Sequence, residues 1–346
     1  MQSISVPISN CYFVSHTAPP FQSAGLFPYS TALDEYRPRG VSQKSCILKL
    51  LFDDNDKVDE VVGELEDGAL VADMGMFIQS VASVAAASAK TYWDLLHCVV
   101  QTMCARALKA LCGVLYIVCD SYEEEDAGGG GGLKRCTWES RKGEQHVPCY
   151  GDFQVGDALP KGKRDGMATF LRLAANKRRL LDLLRANLPA LLPTGEDAPL
   201  AVFGIVARRG YECVRTEAAG PWSIASCSGL DSVFCEADQA LLTSCTHHFE
   251  QRGSSQARVV VASQDTDVMV GLISLHDVMK EKAAKEPVIC VQRGKEKSLF
   301  NIGSTVARLN REHGAKFTKV RLYLNVTDAC LCVSTGIQEY IVIVTA

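Results

Sequence analysis

The chain has 346 residues, of which 47% are hydrophobic and 22% charged, so it is long enough for one large α/β domain or two smaller ones, and its composition excludes wholesale disorder. A formal net charge of −4 excludes a surface coated in basic residues, so any contact with nucleic acid must come from a local basic patch. The 15 cysteines show no zinc-finger spacing, the amino terminus has no secretory pattern, and no apolar run has the length of a membrane span. The expected protein is therefore reduced and nuclear or cytoplasmic, not secreted, and makes no membrane contact.

Apolar runs and helical periodicity alternate along the middle of the chain. Runs that are almost wholly apolar are typical of strands buried on both faces, whereas a 3.6-residue period indicates an amphipathic helix. In chain order, the predicted elements are a strand at Leu65–Asp73, helices from Met76 and at Tyr92–Leu111, a strand at Val114–Asp120, a helix at Thr169–Arg185, a strand at Leu200–Ala207, a helix at Val233–Phe249 and a strand at Arg258–Ser263. This alternation predicts an α/β protein of three layers, α/β/α, around a central and mainly parallel sheet.

The composition also divides the chain into segments. Residues 1–60 lack sustained periodicity and are predicted to form an N-terminal extension. Residues 61–280 form the predicted core, with a basic insertion at about 121–185 that opens on an acidic and glycine-rich run typical of a flexible loop. Residues 281–346 are predicted to be a C-terminal segment, either truncated or diverged.

Acidic residues stand where the predicted strands end. Asp73 and Asp120 each close an apolar run, and Asp265 and Asp267 follow another. Ligands of open α/β sheets bind beyond the carboxyl ends of the strands, so these carboxylates are expected to converge at one edge. Asp265 and Asp267 share a face in extended backbone. Glu236 and Asp238 can both face the site only if Glu236 lies at the cap or in the first turn of its helix.

Clustered carboxylates repel each other unless cations neutralise them, and ligand sets made only of oxygen suit Mg²⁺ or Mn²⁺. Two such ions can activate a water and stabilise a leaving oxygen, which is the chemistry of phosphodiester hydrolysis. A single aspartate after a strand is more often a turn residue or a helix cap, so the hypothesis depends on the set as a whole. The candidate catalytic and metal-binding residues are Asp73, Asp120, Glu236, Asp238, Asp265 and Asp267.

Two blocks of this sequence resemble the PIN-like superfamily, which includes flap endonucleases. The blocks are CEADQALL at Cys235–Leu242 and VVVASQDTDVMVGL at Val259–Leu272, and VADMGMFIQ at Val71–Gln79 is similar to the first strand of the family. The resemblance spans roughly residues 65–275 and is closest to PIN-like proteins often carried with mobile elements. It implies a metal-dependent nuclease, a hydrolase that binds DNA or RNA and uses two ions of Mg²⁺ or Mn²⁺.

The chain departs from the family pattern in two places. Met74 follows Asp73 where the family usually has glycine, and the expected Gly-Cys-Asp motif after the last strand is not found. Asp328 is the nearest candidate for its aspartate. The alternative function is therefore a catalytically weakened PIN-like protein that binds nucleic acid or a protein partner without cleavage.

The predicted insertion is basic. Between Lys134 and Arg185 there are twelve Lys and Arg residues against six Asp and Glu residues. The alternative to a nucleic-acid contact here is a solvated helix face. In flap-nuclease-like proteins the corresponding insertion arches over the active site, so the resemblance implies phosphate contacts there. The candidates for these contacts are Lys134, Arg135, Arg141, Lys142 and Lys177, of which Lys177 matches an Asn-Lys pair of the family.

His247 and His248 form a second pattern with ligand chemistry. Adjacent residues of a helix diverge by about 100°, so the two side chains cannot face the same ion. Surface or packing roles are expected for both.

Overall fold

A computed structural model describes the chain at residues 12–13, 51–59, 63–85, 89–121, 151–161, 166–195, 198–215, 217, 220–231, 237–251, 257–283, 286–293, 298–313 and 341–342. Two short strands at the ends of the chain, β1 (Tyr12–Phe13) and β11 (Ile341–Val342), pair antiparallel with each other. The other described strands form one sheet. They are β2 (Lys57–Val58), β3 (Gly68–Asp73), β4 (Val114–Val118), β5 (Ala201–Val206), β6 (Arg209–Arg215), β7 (Trp222–Ser226), β8 (Arg258–Ala262), β9 (Val288–Arg293) and β10 (Ser298–Asn301).

The nine-stranded sheet has the order β2-β10-β9-β8-β3-β4-β5-β6-β7. Its five central strands, from β9 to β5, are parallel, and the flanking pairs on each side are antiparallel. From β3 the chain proceeds to β4 and β5 on one side and later crosses to β8 and β9 on the other. This reversal places a topological switch point, the usual position of a ligand crevice, between β3 and β8.

Helices cover both faces of the sheet. They are α1 (Met74–Ala85), α2 (Tyr92–Lys109), α3 (Met167–Phe170), α4 (Ala174–Leu191), α5 (Ala237–Gln251), α6 (Thr266–Lys282) and α7 (Ile302–His313). Alternate residues of the central strands point to opposite sides, so Leu70 packs with α1, α2 and α4 in one apolar core, whereas Val71 packs with α5, α6 and α7 in another. The predicted three-layer α/β/α fold is confirmed. Among the described residues, none of the helices has the length and apolar character needed to cross a membrane.

The predicted helix at Thr169–Arg185 is wrong as one element, since α3 ends at Phe170 and α4 begins at Ala174. In a continuous helix the Phe170 carbonyl would accept the Ala174 N–H. Instead that carbonyl accepts the Leu173 N–H at 3.4 Å and a side-chain N–H of the buried Asn176 at 3.2 Å. No pattern in the sequence indicates β2, β6, β7, β9 or β10, so the sheet extends beyond the four predicted strands.

A buried arginine ties together the amino ends of the central strands. Arg258 begins β8 with only 2% of its surface exposed, and its guanidinium donates to the backbone carbonyls of Leu111 and, at 3.4 Å, Glu64. Gly68 begins β3 beside it. A Cβ at Gly68 would overlap the Leu111 carbonyl oxygen and come within 2.6 Å of Arg258 Nη2. The start of β3, and with it the position of Asp73 at the other end, depends on this close packing.

Gly68→Ala should lower the free energy of unfolding by about 1–3 kcal/mol, the usual cost of overpacking, because backbone cannot move away as a flexible side chain can. Urea denaturation followed by circular dichroism measures the change. Gly156→Ala is the matched control, since nothing lies within 4 Å of the added Cβ. Equal stability of the two variants would contradict the packing role of Gly68.

Candidate metal centre

The centre lies at the carboxyl edge of the parallel strands, beside the switch point between β3 and β8. Asp73 is the last residue of β3, Asp120 lies two residues beyond β4, and Asp265 follows β8 directly before α6. Asp238 and Asp267 lie in the first turns of α5 and α6. The structure therefore brings to one edge all five predicted aspartates. Glu236 lies outside the described residues.

Asp73 has two roles at once. Its Oδ1 accepts hydrogen bonds from the backbone N–H groups of Gly75 at 2.8 Å and Met76 at 3.3 Å, which caps the start of α1. Burial raises the pKa of Asp73 to about 6, the nearby Asp120 and, less strongly, Asp265 add to the rise, and the two backbone hydrogen bonds oppose it. A cation at this position would relieve the same repulsion that favours the proton.

Asp120 connects the two sides of the crevice. Its Oδ1 accepts the backbone N–H of Ala237 at 2.9 Å, across 117 positions of the chain. Ala237 is the first residue of α5, so the carboxylate of Asp120 lies at the positive end of that helix. This contact fixes the amino end of α5, and with it Asp238, next to the end of β4.

Three carboxylates form the tightest group. Oxygen atoms of Asp238, Asp265 and Asp267 all lie within 4.8 Å of one another, and all three side chains are half-buried. Bonds from carboxylate oxygen to Mg²⁺ are about 2.1 Å long, so small rotations let three such oxygens reach one ion. The donor set contains only oxygen, and together with the raised pKa of Asp73 it fits a hard divalent cation.

The local geometry of Asp265 and Asp267 differs from the expected extended pair. Helix α6 already begins at Thr266, and Asp265 is its N-cap, with its Oδ1 accepting the Asp267 N–H at 3.1 Å. The two carboxylates come close through this capping turn and not through a shared strand face. Asp238 lies in the first turn of its helix, whereas the expected position of Glu236 at the cap or in the first turn falls outside the described residues.

Sequence reasoning missed the groups that orient these aspartates. The hydroxyl of Ser263, fully buried, accepts the backbone N–H of Asp265 at 3.2 Å and so shapes the turn that presents it. Ser263 belongs to the Ser-x-Asp-Thr-Asp motif, and this motif is the feature of the sequence that could have indicated its role. The role of the Ala237 N–H has no such indication, because every residue type except proline supplies a backbone N–H.

A pocket of about 320 Å³ opens beside the aspartates. Among the described residues that line it, Lys177 is the only basic one, and the others are three aspartates, two glutamines and eight residues that are apolar or glycine. The lining comprises Asp73, Met74, Gly75, Met76, Ile78, Gln79, Cys119, Asp120, Leu171, Lys177, Leu180, Leu181, Gln264 and Asp265. Lys134, Arg135, Arg141 and Lys142 lie outside the described residues. Of the predicted phosphate contacts, Lys177 is thus the one found beside the acids.

The raised pKa of Asp73 predicts how the stability of the folded chain depends on pH. The folded chain binds this proton more tightly than the unfolded chain, because the pKa rises from its ordinary 3.8 to about 6. The contribution of Asp73 to the free energy of unfolding is therefore greatest at low pH. It falls as the pH rises from about 4 to about 6, by up to about 3 kcal/mol at 1.4 kcal/mol per pKa unit. Asp73→Asn keeps a capping oxygen and removes the charge.

At pH 8 with a chelator present, Asp73→Asn should therefore unfold at a higher urea concentration than wild type. The difference between the two proteins should shrink as the pH is lowered towards 4. Divalent cations should reverse the order, because they bind the wild-type carboxylate. Asp182→Asn, at an exposed aspartate of α4, is the control and should change stability little at either pH. A wild type that is as stable as Asp73→Asn at pH 8 would show that the pKa of Asp73 is not raised in the folded chain.

Comparison with known proteins gives no match for this chain. The resemblance to flap-nuclease-like proteins thus stays a prediction from sequence motifs. No family model, no curated protein and no solved structure matches the chain.

Proposed function

We propose that the protein is a PIN-like nuclease that hydrolyses phosphodiester bonds in DNA or RNA with two divalent ions, Mg²⁺ or Mn²⁺. The observation that carries this proposal is the convergence of five aspartates, from four separate stretches of chain, at one sheet edge beside a pocket with a basic wall residue. An aspartate with a purely structural role needs only one partner for its carboxylate. Cations that bind in the crevice would explain why five carboxylates that repel one another lie together there.

The five aspartates divide into two groups of ligands. Asp238, Asp265 and Asp267, whose oxygens lie within 4.8 Å of one another, would hold one ion. Asp73 and Asp120 would hold the other, since the pKa of Asp73 is raised first by burial and then by the nearby charge of Asp120. Two such ions supply an activated water and stabilise the leaving oxygen of an in-line displacement.

The remaining pocket residues would position the substrate. Lys177 carries a positive charge that can neutralise a phosphate next to the aspartates. The apolar wall formed by Leu171, Leu180 and Leu181 can exclude water and pack against a base or a sugar. Since the chain as a whole has a net charge of −4, such a local contact is needed for an anionic polymer to approach an acidic centre.

Cleavage of an oligonucleotide in Mn²⁺ tests the proposal. Asp265→Asn should lower the rate by more than about 100-fold, since even the loss of groups that only support metal ligands costs about 10–100-fold. Asparagine can still accept the Asp267 N–H, so the cap of α6 is kept. Asp277→Asn, at an exposed aspartate of the same helix, is the matched control and should cleave like wild type.

Equal cleavage by wild type and Asp265→Asn would overturn the nuclease proposal. Absence of cleavage by wild type, with oligonucleotide binding retained, would instead favour the catalytically weakened relative that binds without cutting. Isothermal calorimetry with Mn²⁺ separates the two further, because the weakened relative should bind fewer ions than the two expected of the nuclease.

Lys177→Gln should weaken oligonucleotide binding and lower the slope of log K against log salt by about one, the signature of one lost phosphate contact. Fluorescence anisotropy over a range of salt concentrations, with Ca²⁺ in place of Mn²⁺, measures both effects. Lys109→Gln is the control, because Lys109 ends α2 at the opposite edge of the sheet. An unchanged salt slope for Lys177→Gln would mean that its ammonium group does not contact phosphate.

A further inference from the structure

A second cluster with ligand chemistry lies away from the aspartates, where α5 packs over the antiparallel part of the sheet. Cys227 follows β7 and is half-exposed, while His247 lies in the third turn of α5 with 6% of its surface exposed. The Sγ atom of Cys227 and Nε2 of His247 are 4.0 Å apart. A sulfur and an imidazole nitrogen thus face each other across twenty positions of the chain.

The imidazole of His247 is held in place from its other side. Its Nδ1 is 2.9 Å from the hydroxyl of Tyr116, a residue with 1% of its surface exposed. The ring also packs edge-on against Tyr116 and Phe203, with centroid distances of 5.9 and 5.4 Å. Histidines that bind metals almost always have such a partner on the second nitrogen, which fixes the orientation of the ring. The Tyr116 contact directs Nε2 towards Cys227.

A carboxylate lies on the same face of the sheet. Glu212 of β6 is paired with Ala225 of β7, and the Cys227 N–H donates to the Gly210 carbonyl at 2.9 Å. Glu212 and Cys227 are therefore diagonal neighbours, and such Cα atoms are about 7–8 Å apart. The Glu212 carboxylate does not lie within 4.8 Å of both the sulfur and the imidazole nitrogen, so a rotation of its side chain, which this spacing allows, would complete the set. Phe203, which lies under His247, is the residue paired with Glu212 on the other side.

The charges around the thiol are negative. Burial raises the pKa of Cys227, and Glu212 and Asp231 raise it further. Burial lowers the pKa of His247, and the charges of Glu250 and Glu212 oppose that shift.

We propose that Cys227, His247 and Glu212 form a binding site for one borderline-soft divalent cation such as Zn²⁺, separate from the aspartate centre. Zinc bonds of about 2.3 Å to sulfur and 2.0–2.1 Å to nitrogen imply a tetrahedral S···N separation of about 3.6 Å, a few tenths of an ångström below the observed contact. Binding replaces the thiol proton with a zinc–sulfur bond and releases that proton to solvent. The mixed sulfur, nitrogen and oxygen set suits zinc, whereas the oxygen-only set of the aspartates suits Mg²⁺ or Mn²⁺.

Protection of Cys227 from alkylation tests this site. The full chain is treated with iodoacetamide with and without Zn²⁺, and modification of each cysteine is followed by peptide mass spectrometry. Zinc should slow the modification of Cys227 by at least about tenfold, because the bound sulfur is no longer a free nucleophile. Cys98, also half-exposed, is the internal control and should react at the same rate throughout. A chelator should restore the reaction, and Mg²⁺ at the same concentration should give no protection.

Variants separate the site from the aspartate centre. His247→Gln and Glu212→Gln should each weaken the protection, and Asp265→Asn should leave it intact. Glu212 is half-exposed, so its variant keeps the test decisive if His247→Gln fails to fold. If Cys227 proves unreactive without zinc, the charge-transfer band of Co²⁺ bound to thiolate decides, and it should be lost in Cys227→Ser and kept in Cys98→Ser. Equal alkylation of Cys227 with and without Zn²⁺, or no such band in wild type, would overturn the proposal.

Discussion

The candidate site depends on how the fold keeps several negatively charged carboxylates close together. Three aspartates of the candidate metal centre are each anchored by a backbone N–H at the start of a helix: Asp73 by α1, Asp120 by α5 and Asp265 by α6. Helix amino ends carry partial positive charge, so these three termini offset part of the repulsion before any cation binds. The pKa of Asp73 remains raised, first by burial and then by the charges of Asp120 and Asp265, so the offset is incomplete. The parallel sheet makes this arrangement possible, because it brings the strand ends and the following helix starts to the same edge.

The sequence predicted the parts of this arrangement that follow from local pattern. Strands β3, β4, β5 and β8 are apolar on both faces and are recognisable as continuous runs, and Asp73 ends the first of them. Strand β7 was missed because four of its five residues are exposed, so it lacks the apolar pattern of a buried strand. The break between α3 and α4 was missed because it depends on a side-chain hydrogen bond of Asn176, which helical periodicity does not encode.

The candidate zinc cluster could not be predicted from spacing. His247 lies 131 positions from Tyr116 and 20 from Cys227, and only the packing of α5 on the sheet brings the three together. From the sequence, packing roles were among those expected for both histidines. His248 fits that expectation, since it is buried and its Nε2 is 3.1 Å from the Asp67 carbonyl oxygen. His247 is buried too, but its second nitrogen faces a sulfur.

The double role of the capping aspartates has a consequence for how such a protein evolves. In Asp73 and Asp265 the oxygen that caps the helix belongs to the same carboxylate that would bind metal, and asparagine supplies an equivalent capping oxygen without the charge. The codons of aspartate and asparagine differ by a single base. Under the proposed function, a lineage could therefore lose cleavage in one mutational step while keeping its fold, and at Asp73 that step is expected to remove the cost of a buried charge. Under the same proposal, the requirement for cleavage, and not the requirement for folding, would keep these positions acidic.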